Sequence, residues 1–504
     1  MKGLSKSKYT TFCQCPKALW LSVYNPLPVD PTLQARFDMG HEVGYLAMGL
    51  FGDSVDVTVP GEDGRLNLVA MIERTKDEMA RCTNNICEAS FAKDNNYCAV
   101  DILRRNGDGW DIYEVKSSTY KGDDKDTAES LLVYTRDIAY QRWLLEQCGV
   151  KVKGCYLVRL NSFYVRDKEL DIQQLFHVKN VDDLVANEFV KVPHNVGQAL
   201  KTLQLTAEPA ETIDLHCNRP YPCAYFGHCT QGIVEPNVFN LYRMDFKKKC
   251  ELYNQGKIGF KDLVNEKLSE TQRIQVETYL NDTELVTPQE IRTFLQKLTY
   301  PLYFLDFETM QMAVPEYEGT KPYQQIPFQY SLHWIEEEGG DLKHSEFLGN
   351  SVDDPRRALA EKLCSEIPMG KCTTAYNKGF ECKRLEELAE AFPDLSAHLL
   401  DISKNIVDLI EPFRKKMVYL PEMNGSFSIK QVLPALRPDD PELNYDNLDG
   451  SVHNGGEAMN IYPLIAKMPP EEAEETHNSL LKYCELDTLA MVRIWEKLKE
   501  IVNS

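Results

Sequence analysis

Residues 303–311 read YFLDFETMQ, directly behind the apolar run that begins at Tyr300. At the two-residue period of a strand, Asp306 and Glu308 project from one face, where two like charges repel and are costly to desolvate. A divalent cation between them relieves both penalties, so the stretch asks for further ligands elsewhere in the chain. Two segments offer them. In TTAYNKGFECKRLEELA, Asn377 and Glu381 follow a short strand and open a helix; in LLKYCELDTLAMVRIW, Tyr483 and Asp487 stand four apart on one helical face. Four carboxylates (Asp306, Glu308, Glu381, Asp487) and a phenol suit two metal ions about 3.5 to 4 Å apart, one activating water and the other steadying the leaving oxygen of a phosphodiester. Tyr483 would orient the attacking water. Asp408, in IVDLIEPF, reads as a structural helix residue rather than a ligand.

A chain of 504 residues is too long for one ordinary core, and two or three domains are expected. An apolar fraction of 43% and a charged fraction of 26% describe a globular protein that dissolves in water. No run reaches the roughly 18 to 20 apolar residues that cross a bilayer, and MKGLSKSKYT lacks the apolar centre of a signal peptide. The expectation is a cytoplasmic protein with no membrane partner. Fifteen cysteines, an odd number in a reducing compartment, are not a disulfide framework, and some can hold a metal. The net charge of −21 argues against broad charge-driven nucleic-acid binding. It leaves room for enzymes that grip a polyanion through bound cations, whose acidic ligands count as negative charge.

Three regions separate by pattern. Residues 1–235 mix helices with short strands and end in a Cys/Pro/His-rich segment; 236–298 are polar, charged and helical, as a connector would be; 299–504 alternate strands and helices, which predicts an α/β domain. The Pro- and Asp-rich stretch 433–450 reads as a surface loop.

The three C-terminal motifs, DFE, YNKGFE and YCELD, occur in the order and spacing that resemble the DEDD 3′-to-5′ exonucleases, in the Tyr-x-x-x-Asp form of the tyrosine subgroup. The resemblance spans about 299–500 and implies a ribonuclease H-like fold. One position departs from it, since the second motif usually ends in Asp where Glu381 stands.

A second acidic set lies in NNYCAVDILRRNGDGWDIYEVKSST. Asp101 is expected to end one strand, NGDG to turn the chain, and Glu114 and Lys116 to alternate on the next strand, so that all three converge. Asp and Glu bind a cation; the lysine can position or activate water and offset phosphate charge. The set resembles the Asp…Glu-x-Lys centre of restriction-endonuclease-like nucleases, and YEVKSST is similar to the RecB-type branch. That resemblance implies His41, on a helix, as a further metal ligand and Gln141 as a support for the lysine region. Glu88, in ICEASFA, reads equally as an acid facing the site or an exposed strand residue.

Cys13 and Cys15 lie near the start, and Cys217, Cys223 and Cys229 at the far end of the same region. One cysteine before the nuclease core and three after it resemble the iron-sulfur RecB-like nucleases. There a 4Fe-4S cluster staples the ends of the domain, with Cys15, directly before Pro16, as the N-terminal ligand. The Cys-x5-Cys-x5-Cys spacing departs from that family and keeps zinc as the alternative. Cys82, Cys87, Cys98, Cys148 and Cys155 read as ordinary buried thiols.

Both halves together resemble an uncharacterised bacterial family that fuses a RecB-like iron-sulfur nuclease to a tyrosine-type DEDD exonuclease. The resemblance implies an enzyme using Mg²⁺ or Mn²⁺ on nucleic acid, DNA rather than RNA, in repair or defence. The alternatives are an RNA 3′-end trimmer whose N-terminal half holds nucleic acid, and a catalytically decayed nucleic-acid-binding scaffold.

Overall fold

The structure, a computed structural model, describes residues 3–28, 31–62, 64–440, 450 and 452–503. It is a mixed α/β protein with two compact units, one of residues 1–231 and 312–324, the other of 232–311 and 325–504.

The first unit is built on strands β1 (Leu4–Ser5), β2 (Val55–Asp56), β3 (Asn85–Lys93), β4 (Asn96–Asn106), β5 (Gly109–Tyr120), β6 (Val152–Asn161) and β7 (Phe176–Asn180). They form one sheet in the order β2-β3-β4-β5-β6-β7, with β1 pairing alongside the start of β4. The pairs β3–β4 and β4–β5 are antiparallel hairpins; β6 runs parallel to β5, which requires a crossover. Helix α5 (Ala128–Gln147) supplies it, capped by Thr127, whose hydroxyl accepts from Ser130 N at 3.1 Å. Along β5 the side chains alternate: Trp110 and Ile112 join a core with Ile138 and Leu144 of α5, while Tyr113 and Val115 join a second core with Val43 and Ala47 of the helix Pro31–Ala47.

The second unit carries β8 (Leu285–Val286), β9 (Leu302–Gln311), β10 (Gln325–Ile335), β11 (Leu342–Leu348), β12 (Cys372–Ala375), β13 (Ile406–Asp408) and β14 (Val418–Tyr419). Five of these form a sheet in the order β11-β10-β9-β12-β13, antiparallel across β11, β10 and β9 and parallel across β9, β12 and β13. Strand β9 is therefore central and buried on both faces. Leu302 and Phe304 point to one core, shared with Ala490, Ile494 and Trp495 of the long C-terminal helix Pro470–Asn503; Tyr303, Leu305 and Phe307 point to the other. Within this unit, Val238, Leu241, Leu252, Phe260, Leu263 and Val276 make a small core of their own around the helices Phe246–Asn254 and Glu270–Asn281.

Two local expectations are corrected. The stretch 433–450 does not begin as a loop: Ile429–Leu436 is a helix, because the Val432, Leu433 and Leu436 stripe is buried and outweighs the cost of Pro434 inside it. Residues 441–449 of that stretch lie outside the described residues. Cys82 and Cys148 are exposed rather than buried, since both fall where a helix ends, whereas Cys87, Cys98 and Cys155 sit in strands and are buried.

Candidate metal centres

Strand β9 delivers Asp306 and Glu308 on the face of Leu302 and Phe304, the side covered by the C-terminal helix. That helix runs for 34 residues and buries Leu480, Tyr483, Asp487, Ala490 and Ile494 along one stripe, so Tyr483 and Asp487 arrive at the same place as the strand carboxylates. Asp306, Glu308 and Asp487 each bring an oxygen within 4.8 Å of the others. Burial, then Asp487, pushes the Glu308 carboxyl up to about 8, with the Lys430 ammonium pulling the other way. Burial, then Asp487, Glu308 and Glu381, raises Asp306 well above the ordinary carboxylate range. Three buried like charges at this separation repel strongly, and a multivalent cation among them removes that cost.

Glu381 lies in the first turn of the helix Gly379–Ala391 and lines the same cleft, of 390 Å³. Its carboxylate stands outside the 4.8 Å group yet acts electrostatically on Asp306 and Glu308. Burial raises it to about 8, and its Oε2 has no hydrogen-bond partner among the described residues. A buried carboxylate oxygen without a donor is costly, which is the signature expected of a ligand atom. Asn377 precedes this helix in the left-handed region at φ 68°, held by its N–H donating to Asp408 Oδ1 at 2.9 Å and its Oδ1 accepting from Arg414 Nη2 at 2.9 Å. Asp408 is thus not a helix residue as expected. It ends β13, where it fixes the turn that presents Glu381.

Sequence reasoning missed Lys430. Its Nζ lies 5.3 Å from the centre of the Tyr483 ring and donates to His453 O at 3.1 Å, so it holds a positive charge beside the phenol at the cleft wall. Its only sequence signal is one lysine inside the apolar run FSIKQVL.

In the first unit Asp101, Glu114 and Lys116 do converge. Asp101 lies mid-strand rather than at the strand's end, because the β4–β5 hairpin runs on to the Asn106–Gly109 turn. Its Oδ2 accepts from Val115 N at 2.7 Å. Glu114 is fully buried and accepts from Lys116 Nζ at 2.5 Å and from Gln141 Nε2 at 2.6 Å. Two further residues complete the group. Asp137, one turn before Gln141 on α5, accepts from Lys116 Nζ at 2.9 Å, and Lys6 Nζ lies 3.3 Å from Asp101 Oδ1 and 3.1 Å from Glu114 Oε1. Burial alone would raise Glu114, but Lys116 and Lys6 together hold it well below the ordinary range. Burial and Glu114 raise Asp101 to about 6. Burial would lower Lys116, and Asp137 and Glu114 reverse this and raise it, so it stays an ammonium that offsets charge instead of a base. Glu88 faces this centre: it lies between Cys87 and Ala89, which pair with Ile102 and Val100 on either side of Asp101, has φ 55°, and is raised to about 7 by burial and by Asp101. His41 is not brought in. It is exposed on the helix Pro31–Ala47, and among the described residues its ring nitrogens do not close to within 4.8 Å of Asp101 and Glu114 together. Lys6 instead bridges the two carboxylates, a residue whose place 95 positions from Asp101 leaves no local trace in the sequence.

Cys15, Cys217, Cys223 and Cys229 line one pocket with Leu21 and Phe226. Cys15 is the N-cap of the helix Pro16–Tyr24; burial raises its thiol to about 11, with the Ala18 and Lys17 N–H groups of the first helical turn pulling the other way. Gln14 ties the segment down, donating to His216 O and Tyr221 O at 2.9 Å each. Lys17 places its charge near Cys15 and Cys229 and pairs with Glu208 at 3.0 Å. Cys13 is excluded: its sulfur accepts from Asn195 and lies beside Tyr9. Four thiols with an ammonium beside two of them form a donor set that fits a thiolate-held cluster or zinc ion.

The family model that matches is a domain of unknown function, DUF2779, over residues 303–428. That segment contains Asp306, Glu308 and Glu381 and stops before Tyr483 and Asp487. The uncharacterized protein UU173 of Ureaplasma parvum is 27% identical over 258 residues, which cover 45% of this chain and 36% of that protein. The uncharacterized protein MG366 homolog of Mycoplasma pneumoniae is 24% identical over 273 residues, 50% of this chain and 40% of that protein. The chain thus spans well under half the length of these curated relatives. Among the described residues no helix is long and apolar enough to cross a membrane.

Proposed function

We propose that the chain is a cytoplasmic metal-dependent nuclease with two phosphodiester-cleaving centres, a tyrosine-type DEDD 3′-to-5′ exonuclease of ribonuclease H-like fold in the second unit and a RecB-like nuclease in the first, acting on DNA in repair or defence. The observation that carries it is the approach of Asp306, Glu308 and Asp487 to within 4.8 Å at a cleft that also holds Glu381 and Tyr483. A central strand flanked by an antiparallel and a parallel half-sheet supports the ribonuclease H-like reading, and the β3–β4–β5, α5, β6 succession supports the restriction-endonuclease-like one.

Asp306, Glu308, Asp487 and Glu381 would hold Mg²⁺ or Mn²⁺. The bound ions would supply a water acidified toward neutrality and neutralise charge on the phosphodiester. The chain's own part is positional. The Tyr483 phenol orients the attacking water, Lys430 fixes positive charge beside it, and Asn377 shapes the turn from which Glu381 reaches in. In the first unit Asp101 and Glu114 would hold the cation, and Lys116, locked by Asp137, offsets phosphate charge. Cys15, Cys217, Cys223 and Cys229 would hold a 4Fe-4S cluster that ties the first helices to the end of the unit.

The test is digestion of end-labelled single-stranded DNA, duplex DNA and RNA by anaerobically purified protein with Mn²⁺, beside Asp306→Ala and Lys116→Ala. Each variant is expected to lose a different subset of DNA products. DNA and RNA left intact by the wild type would overturn the reading, and cleavage of RNA alone would transfer it to RNA trimming.

A further inference from the structure

A second cluster of ligating side chains lies in the second unit, apart from the carboxylate cleft. His333 of β10 and His344 of β11 are direct cross-strand partners, and their rings lie 4.4 Å apart, tilted by 32°. Glu485 comes from the C-terminal helix, and His333, His344 and Glu485 each offer a ligand atom within 4.8 Å of the other two. Three separate elements therefore deliver two imidazoles and a carboxylate to one point.

Hydroxyls hold the outer nitrogen of each ring. Thr488 Oγ1 lies 2.7 Å from Ser331 Oγ, 2.8 Å from His333 Nδ1 and 3.0 Å from Glu485 O. Thr488 thus engages Nδ1 of His333 and leaves Nε2 as that ring's candidate ligand atom. Ser331 Oγ lies 3.0 Å from His344 Nε2, which leaves Nδ1 as the candidate ligand atom of His344. That Nδ1 faces Glu485 Oε1 at 3.8 Å. A divalent cation at this point would be shared by the ring nitrogen and the carboxylate. In metal sites the imidazole nitrogen away from the metal is held by a hydrogen-bond acceptor that fixes tautomer and ring orientation, and here Thr488 and Ser331 do so for both rings.

We propose that His333 Nε2, His344 Nδ1 and the Glu485 carboxylate form a binding site for a borderline divalent ion of the zinc class, with an open fourth position toward solvent. Two imidazoles select Zn²⁺, Co²⁺ or Ni²⁺ over Mg²⁺, whose preference is for oxygen. His333 is buried, while the His344 and Glu485 side chains are 24% and 47% exposed, so the ion has a path in from one side. The site bears on the carboxylate cleft through two of its supports: Ser331 is the cross-strand partner of Asp306, and Thr488 follows Asp487. An ion here clamps the C-terminal helix to β10 and β11, and so acts as a positioning device for Tyr483 and Asp487.

The experiment uses full-length protein with its cysteine-held group loaded anaerobically, in excess Mg²⁺ to fill the oxygen-lined centres. Zn²⁺ is added by equilibrium dialysis and counted per chain, and the Tm is recorded with and without Zn²⁺. The wild type is expected to bind one Zn²⁺ per chain more than His344→Ala, and Glu485→Gln, at an exposed position that threatens no packing, to bind that ion at least about tenfold more weakly. Zn²⁺ should raise the Tm of the wild type and not of His344→Ala. Equal Zn²⁺ counts in all three proteins, or an equal Tm response, would overturn the proposal. The readout is independent of cleavage, so it stands or falls apart from the nuclease reading.

Discussion

Lys6 Nζ stands 3.1 Å from Glu114 Oε1 and bonds to Asp101 as well, so that an ammonium from the first helix bridges the two carboxylates that the chain would offer to a cation. Glu114 is wholly buried and its partners are two ammoniums and an amide. Part of the negative charge in this centre is therefore offset by the protein's own ammoniums, whereas the Asp306, Glu308 and Asp487 group has none within it.

Removing that ammonium tests the difference. Lys6→Ala should lose on the order of 1 to 3 kcal/mol of stability without divalent ions, because Asp101 and Glu114 then face each other with one cation fewer. Mn²⁺ should restore more of the Tm in the variant than in the wild type. Denaturation with and without Mn²⁺ measures both, and an identical Mn²⁺ response in the two proteins would show that Lys6 does not compete for the cation position.

Asp306→Asn removes one of three crowded carboxyl groups while keeping shape. In metal-free buffer the variant should be as stable as the wild type or more so, by about 1 kcal/mol, while exonuclease products fall by at least about a thousandfold. Thermal melts in chelator alongside product ladders check it. A destabilised, active variant would contradict the placement of Asp306.

The pH dependence has a defined sign. Glu308 and Glu381 are raised to about 8 from the ordinary 4.5, so the folded metal-free protein holds protons there that the unfolded chain releases. Stability without metal should fall as pH rises from about 4.5 and level off above about 8. A divalent ion competes with those protons, so apparent Mn²⁺ affinity should climb across the same window. A titration of Mn²⁺ at pH 6, 7 and 8 reads this directly; a flat affinity would mean that these carboxyls are not its ligands.

Tyr483→Phe keeps the buried ring, which stays under Lys430, and deletes only the hydroxyl. Mn²⁺ binding and Tm should be nearly unchanged, while kcat falls by roughly 10²- to 10⁴-fold with little change in KM. A loss confined to KM would place the phenol in substrate binding instead.

Cys223→Ser should abolish the visible absorbance and iron of the anaerobically purified protein and lower its Tm, because Cys15, Cys217 and Cys229 then hold three ligands only. Zinc without iron in the wild type would assign the site to zinc. A full metal content in the variant would remove Cys223 from the set.

The sequence by itself determined what periodicity and spacing control. Asp306 and Glu308 share a strand face because they are two apart, Tyr483 and Asp487 share a helix face because they are four apart, and the NGDG turn sets Asp101 against the strand of Glu114 and Lys116. These are local rules, and the residues obey them whatever lies around them. Only the tertiary structure decided which distant groups meet the centres so formed. Lys6 reaches Glu114 across 108 positions, Lys430 comes beside Tyr483, Asp137 locks Lys116, and His41 stays exposed and outside the centre. The same holds for His333, His344 and Glu485, which join because β10 and β11 pair in one register and the C-terminal helix packs across them. Such meetings depend on strand order, helix packing and burial, which are cooperative properties of the whole unit and leave no pattern in any short stretch of residues.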